Sequence, residues 1–462
     1  MTPYLYPDVV EPTHAKRALA TLLEQAFDSA AHSSKPRRVV RCEVPVDGVD
    51  PLAWLEAQGN RSRGYWCDRE RHFELAGVGT ADIITAEVLT NYDELFDHLR
   101  ACIASVHPHL HYYGGMRFSL TTPPVEKWAP FGAYRFVLPK FEVLSRGDQT
   151  YLACNAMLKD EQENLLAKLL DQLDAMPFPG LDAPAAIAHP QSRADAPDRN
   201  EWIRQMERTL AAIHDGAIEK AVLARESVFA FDAPIDPVAL LRQLNASASK
   251  SYRFCFQPKP GVAFIGVSPE RLYKRQDRYV RTEAVAGTRP TTGDLRVDAA
   301  LADELLNSDK DRREHKHVLD AVRAELARQC TAVHTDDDVC VMRLDKYQHL
   351  YVGIEGILDH FGTDAELLRG LHPTPAVGGV PTRTALDWIA ESEPFDRGWY
   401  AGPVGWVGCD SAEFAVAIRS ALVTGNTLSV YTGAGIVDGS VPDEEWAELE
   451  NKLTPYTAVL DA

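Results

Sequence analysis

Between Glu219 and Val437 the chain runs through seven strand-length segments, and that succession limits the fold more than any other feature. They read "EKAVLARESVFAF", "SYRFCFQ", "VAFIGVSPERLYKR", "YVRTEAVAGT", "LYVGIEGIL", "FAVAIRSALV" and "LSVYTGAGIV". Each is rich in β-branched and aromatic residues and is bounded by turn residues. Only two long helical patterns, near 308–329 and 441–453, stand out among them. Strands in series with helices set apart define a strand-heavy α+β unit. No repeat occurs at solenoid periods.

The rest of the chain divides around one uneven stretch. Residues 1–176 mix helix and strand signals: "HAKRALATLLEQAFDSA" and "NLLAKLLDQLDAM" are amphipathic, while "RRVVRCEVPV" and "YRFVLPKFEVLSR" read as strands. Residues 177–199 are rich in proline, alanine and aspartate without any period, as a surface connection would be. Asp198 and Glu201 then resemble a capping box, opening a helix whose inner face is Trp202, Met206, Leu210 and Ile213 and which ends at Gly216. The expected organisation is an N-terminal α/β region (1–176) forming part of a shared scaffold, a connection (177–199) and a catalytic region (200–462).

Charge narrows the function. The formal net charge of −19 argues against a nucleic-acid backbone or an anionic membrane surface as partner. An anionic substrate would need local positive charge or a metal. No run of about 18 apolar residues is present, so no spanning helix is expected. The N-terminus "MTPYLYPDVVEP" lacks the basic start and apolar core of a secretory signal. The eight cysteines show no CxxC pairing, which suits reduced thiols in the cytoplasm.

Two helical segments carry acids where apolar residues are expected. Val318, Val322 and Leu326 mark one buried face, and one step of four back lands on Glu314. An unpaired carboxylate on that face costs several kcal/mol. Asp311 shares the face, and in the second helix Glu445, Glu448 and Lys452 do the same beside Trp446, Leu449 and Leu453. Four inward carboxylates suit an oxygen-seeking cation such as Mg²⁺. The competing reading makes Asp311 the partner of Ser308 in a helix cap and Glu445 a helix N-terminal acid.

Other residues carry two readings each. Lys220 serves as a general base only if its surroundings favour the neutral amine; a solvated strand-edge lysine is the plainer account. Glu270 follows a turn signal in "GVSPERLY" and is either exposed or one half of an acid–base pair. "YTGAGIVDGS" fails the dinucleotide-binding spacing, but Gly433 and Gly435 would expose backbone N–H groups to an anion. His107, His109 and His111 alternate as in a strand, with Pro108 interrupting; a zinc site there would lack a second shell.

Taken in order, "KAVLAR", "FIGVSPERLY", "EAVAGT", "SDKDRREH", "YQHLYVGIEG", "LHPTPAVGG.P", "RGWYAGPVGW", "FAVAIRSALV" and "YTGAGIVDGS.PDEEWAE" resemble the chorismate-utilising enzymes, and within them the isochorismate synthases. The resemblance covers about 200–460. In the N-terminal part "WLEAQ", "YWCDRERHFELAGVG" and "YYGGMRFS" are similar to the longer members associated with menaquinone synthesis. It implies an anthranilate-synthase-like α+β fold, two-lobed, with antiparallel strands in a layered core, helices outside and the site in a cleft between lobes.

The same resemblance implies roles. Glu314 and Glu448 match magnesium ligands; Asp311 and Glu445 match outer positions that hold metal-bound water. Arg419, Tyr400, Gly433 and Gly435 match contacts to the second carboxylate of chorismate, and Lys452, Ala286, Gly287 and Thr288 match further substrate contacts. Lys220 would activate the attacking water, Glu270 would protonate the departing hydroxyl, and His349 would lie near that group. Amine-using relatives usually carry threonine where Ala376 stands and lack the lysine, and one type of aminodeoxychorismate synthase has a lysine at the position of Ala286. Salicylate synthases also commonly carry that threonine. The implied product is isochorismate, for menaquinone or siderophore synthesis, made by a chain working alone without a glutaminase subunit.

Overall fold

Strand pairing follows two long ladders that meet in the N-terminal part. In the first, Lys220–Ala230 pairs antiparallel with Thr427–Ile436 along its length. Ser420–Thr424, Val262–Ser268 and Tyr252–Lys259 follow, and then Arg63–Cys67 and Phe73–Ala86. In the second, Tyr347–Leu358 pairs with Tyr279–Pro290, followed by Arg271–Gln276, Ser411–Val416, Pro403–Val407 and Tyr112–Met116. Both ladders end on Tyr134–Arg146, which holds Tyr112–Met116 on one edge and Phe73–Ala86 on the other. Among the described residues this is an α+β fold of 21 connected strands. The computed structural model describes residues 4–5, 8–31, 38–59, 61–89, 91–103, 107–120, 124–158, 164–180, 185–245, 250–344, 347–359 and 362–461.

Two apolar bodies fill the layers. One gathers Trp128, Phe131, Phe264, Trp399, Phe414 and Tyr431, drawn from both parts of the chain. The other packs the helix Pro12–Ala31 against Arg38–Pro45 and Gln149–Leu158, and the helix Pro237–Asn245 against the first ladder. No helix among the described residues is long and apolar enough to cross a membrane. Within the stretch expected as a surface connection, Ser192–Ala196 forms an edge strand against Lys220–Ala230. "SRADA" has no apolar alternation to reveal it. Its charges instead face outward partners, Arg193 to Glu450 and Asp195 to Ser227, and charge on an edge strand discourages further pairing. Residues 181–184 of that stretch lie outside the described residues.

At two neighbouring points the chain leaves one ladder for the other. Val262–Ser268 belongs to the first and Arg271–Gln276 to the second, with Pro269 and Glu270 between them. Ser411–Val416 and Ser420–Thr424 make the reverse crossing through 417–419. Pro269 has no N–H to offer a ladder. Ser268 Oγ donates to the Val416 carbonyl at 2.6 Å and accepts the Glu270 N–H at 3.2 Å. Ser420 Oγ donates to the Ala417 carbonyl at 2.7 Å. Backbone groups freed by the crossings are thus paired locally, as burial requires. Arg419 takes a φ of 51°, a conformation uncommon for a residue with a side chain.

The turn before Pro403–Val407 is fixed by close packing. Asp396 accepts two bonds from Arg117 at 2.8 and 2.9 Å and one from the Gly398 N–H at 2.8 Å. Gly398 has a φ of 55°, and a Cβ there would sit 2.0 Å from the Trp128 ring. Gly398→Ala should therefore lower unfolding stability by about 2–4 kcal/mol, from ring displacement plus left-handed strain. Chemical denaturation of the purified variant measures this; a change under 0.5 kcal/mol would contradict the packing.

Candidate active site

An open cleft of about 740 Å³, counting solvent at its mouth, lies between the two ladders. The first ladder contributes Thr432, Gly433 and Gly435, and the second Ala286, Gly287, Thr288 and His349. The crossings contribute Pro269, Glu270, Ile418 and Arg419. Ala376 and Tyr400 close the wall, and two helices, Asp309–Gln329 and Pro442–Leu460, bring Glu314, Glu448 and Lys452.

Glu270 is nearly inaccessible at 7%. Burial first, and then the charge of Glu283, push its carboxyl up to about 8, against the pull of Lys220, Lys452 and Arg69. At neutral pH it is therefore mostly the protonated acid. Lys220 begins a central strand and is fully buried; its Nζ donates to Glu314 Oε1 at 2.9 Å. It is not the solvated edge lysine of the plainer reading.

His349 owes its setting to a bulge. The register of Tyr279–Pro290 against Tyr347–Leu358 shifts between Ala286 and Arg289, so Gly287 and Thr288 together oppose His349. Gly287, at φ 68°, permits this. His349 Nδ1 donates to the Gly287 carbonyl at 3.0 Å, and Nε2 is buried without a partner among the described residues. Burial, then Arg419, push the imidazole down to about 4. It is a neutral ring whose free nitrogen accepts a hydrogen bond from whatever enters the cleft.

The four helix acids separate into two pairs. Glu314 and Glu448 line the cleft, facing Lys220 and Lys452 respectively. Asp311 and Glu445 do not line it: Arg289 Nη2 holds Asp311 at 3.0 Å and Lys310 Nζ holds Glu445 at 2.6 Å. The Asp311 N–H also donates to Ser308 Oγ, so the expected cap is present while the carboxylate does other work. Burial opposes ionisation at Glu448, but Lys452, Lys310 and Arg419 outweigh it and hold its carboxyl below the ordinary value. At Glu445 burial and the Glu448 charge win, and its carboxyl is raised. Glu314 sits at the edge of the buried stripe, which runs through Asp311, His315, Val318 and Val322.

Positive charge is local, as an acidic chain binding an anion requires. The Arg419 guanidinium stacks 4.3 Å over the Tyr347 ring and has no carboxylate partner among the described residues. Lys452 Nζ also donates to the Gly433 carbonyl at 2.7 Å. Tyr400 stacks on Tyr431 at 5.3 Å, and its hydroxyl lies 2.7 Å from where a Cβ on Gly433 would be. Thr432, buried and with its Oγ1 unpartnered among the described residues, also lines the cleft. A strand threonine gives no sequence signal for such a role. Away from the cleft, ligand atoms of Glu43, His107 and His109 lie within 4.8 Å of one another, and the helix acids form no such trio among the described residues. There Glu43 accepts from Arg41 at 3.0 Å and His109 at 2.8 Å. His107 Nδ1 accepts the His109 N–H, which leaves Nε2 to carry the ring proton rather than a metal. His111 is apart, edge-on to Phe73 and Trp406.

Residues 22–461 match the family described as chorismate binding enzyme, and the chain belongs to that family. Among characterised members it is 33% identical to the chloroplastic isochorismate synthase of Catharanthus roseus, over 91% of this chain and 81% of that protein. It is 32% identical to isochorismate synthase MenF of Escherichia coli (strain K12), over 92% of this chain and 94% of the relative. The solved structure of MenF, the menaquinone-specific isochorismate synthase from Escherichia coli, superposes with a TM-score of 0.82 at 29% identity, covering 96% of this chain and 99% of that one. The family and fold expected from the motifs are thus those the chain has.

A Cβ on Gly435 would stand 2.5 Å from Glu314 Oε1 and 3.1 Å from Lys220 Cε. Gly435→Ala should displace that pair and lower kcat/KM by about 100-fold, the usual scale for a misplacement near 1 Å. Steady-state kinetics beside an unchanged thermal melt would show it; a variant as active as the parent would mean the pair is not held in place by this glycine.

Proposed function

We propose that this chain is an isochorismate synthase, an isomerase that converts chorismate to isochorismate with Mg²⁺. The observation that carries the reading is the buried acid Glu270 sharing one cleft with Glu314, to which the buried Lys220 is bonded. A dianionic ring substrate suits the cleft's charges. Arg419, in no ion pair among the described residues, offers a two-pronged grip on one substrate carboxylate, with Tyr400 and the Gly433–Gly435 backbone beside it.

Lys220, acting as the neutral amine, takes a proton from water as the water oxygen bonds to the ring carbon next to the carboxylate-bearing one. Both ring double bonds shift by one carbon, the distal carbon–hydroxyl bond breaks, and Glu270 gives its proton to the leaving oxygen. One water enters and one leaves, so the net change is an isomerisation. His349 Nε2 accepts a hydrogen bond near the departing group, and Ala376 leaves that wall without a hydroxyl. Glu314 and Glu448, two hard oxygen donors on one cleft, fit a divalent ion of this kind. They would hold Mg²⁺, with Asp311 and Glu445 behind them. When bound, the ion supplies positive charge opposite the substrate carboxylate.

Incubation with chorismate and Mg²⁺, with products resolved by chromatography, should yield isochorismate; salicylate or an aromatic amine would refute the reading. Lys220→Ala and Glu270→Gln should each lower kcat by about 10²–10⁴-fold. The parent rate should fall as pH rises through about 8, where Glu270 loses its proton. Glu314→Gln should abolish the dependence on magnesium along with activity, and full metal-free turnover in that variant would remove the ligand assignment.

A further inference from the structure

We propose that Arg69 and Glu283 are a positioning pair for Glu270: together they fix its backbone and set the charge that its carboxyl faces. The inference rests on Glu270 being the general acid.

Arg69 comes from the other end of the chain. It sits in the turn between Arg63–Cys67 and Phe73–Ala86, a turn closed by Asp68, whose Oδ1 accepts the His72 N–H at 2.8 Å. The hairpin drives the guanidinium into the C-terminal part, where it is 8% exposed. There it grips Glu283 with two parallel bonds of 2.8 and 2.7 Å and donates to the Pro269 carbonyl at 2.9 Å. Glu283 Oε1 in turn accepts the Arg271 N–H at 2.9 Å. The residues on both sides of Glu270 are therefore tied to one buried ion pair, while its own N–H and carbonyl are held by Ser268 Oγ and the Val416 N–H. Every backbone handle around the acid is taken, which is what precise placement of a proton donor demands.

The pair also bears on charge. Glu283 opposes ionisation of Glu270, and Arg69 favours it more weakly. The other charges bearing on Glu270 are Lys220 from its strand and Lys452 from the C-terminal helix, with Tyr400 close by. Glu314, Glu448, Arg419, His349 and Tyr431 complete the ionisable lining of the cleft among the described residues.

The two halves of the pair should move the acid in opposite directions, which a merely structural role would not do. In pH profiles of kcat/KM at saturating Mg²⁺, Glu283→Gln should shift the alkaline limb to lower pH. Arg69→Gln should shift it to higher pH, each by on the order of one unit. Arg69→Lys keeps the charge and loses the fork, so its limb should stay in place while kcat falls. If a single variant does not fold, Arg69→Gln with Glu283→Gln leaves no unpaired buried charge. Its limb should lie below the parent's, because the Glu283 effect is the larger, and its kcat should be reduced. Limbs that do not move, or that move the same way in both single variants, overturn the proposal, as does a double variant with the parent's profile. Glu270→Gln is measured alongside: if it retains turnover, the acid assignment itself has failed rather than the pairing.

Discussion

The site depends on two antiparallel strand connections changing ladder at the same level. Neighbouring chains cross at 269–270 and at 417–419, bonded to one another through Ser268, Val416 and Arg419. A strand inside a sheet points its side chains to one face or the other. Where the backbone leaves the ladder, a side chain can instead point along the gap between layers. Glu270 and Arg419 occupy those positions, one an acid and the other a cation, and both line the cleft. The geometry holds only because proline removes one donor and serine hydroxyls satisfy the groups that the crossings expose.

Charge in and behind the cleft is matched almost residue by residue. Glu314, Glu448, Asp311 and Glu445 each face their own lysine or arginine. Buried carboxylates left alone would be costly, so these pairs let an acidic protein keep four carboxylates beside a site for an anion. Glu270 is the exception. Among the described residues no cation bonds to it directly, burial and then the charge of Glu283 oppose its ionisation, and it holds its proton. Arg419 is the complementary exception, a cation in no ion pair among the described residues. The two unmatched groups are the ones a substrate with acidic and leaving groups would complete.

Much of this was legible in the sequence for physical reasons. Strand runs such as Lys220–Ala230 and Tyr134–Arg146 declare themselves because a two-sided buried strand must be β-branched and aromatic. Glu314 stands out because the helical period carries a carboxylate toward an apolar stripe, although Asp311 and His315 take the fully buried places and Glu314 sits at the cleft edge. Asp311 and Glu445 share helical spacing with their neighbours, yet spacing is silent about Arg289 and Lys310, the partners that hold them away from the cleft. "SRADA" was illegible because an edge strand with outward charges needs no apolar alternation. Arg69 and Glu283 are 214 residues apart, and no local pattern links them.

That last pair bears on what the N-terminal part does. Its strands pair with both ladders, so it forms the corner from which the two layers diverge. A corner alone would need only backbone ladders and apolar packing. The hairpin at 67–73 goes further, sending a nearly inaccessible guanidinium across the layers to the peptide just before Glu270. Ordering so buried a charge has to be offset by specific bonds, and the bonds it makes are those that fix the acid's own loop. Shape could be kept by any well-packed apolar side chain at that place. A charge there makes sense if what must be held constant is the field and position of one proton, which is a requirement of the reaction and not of the fold.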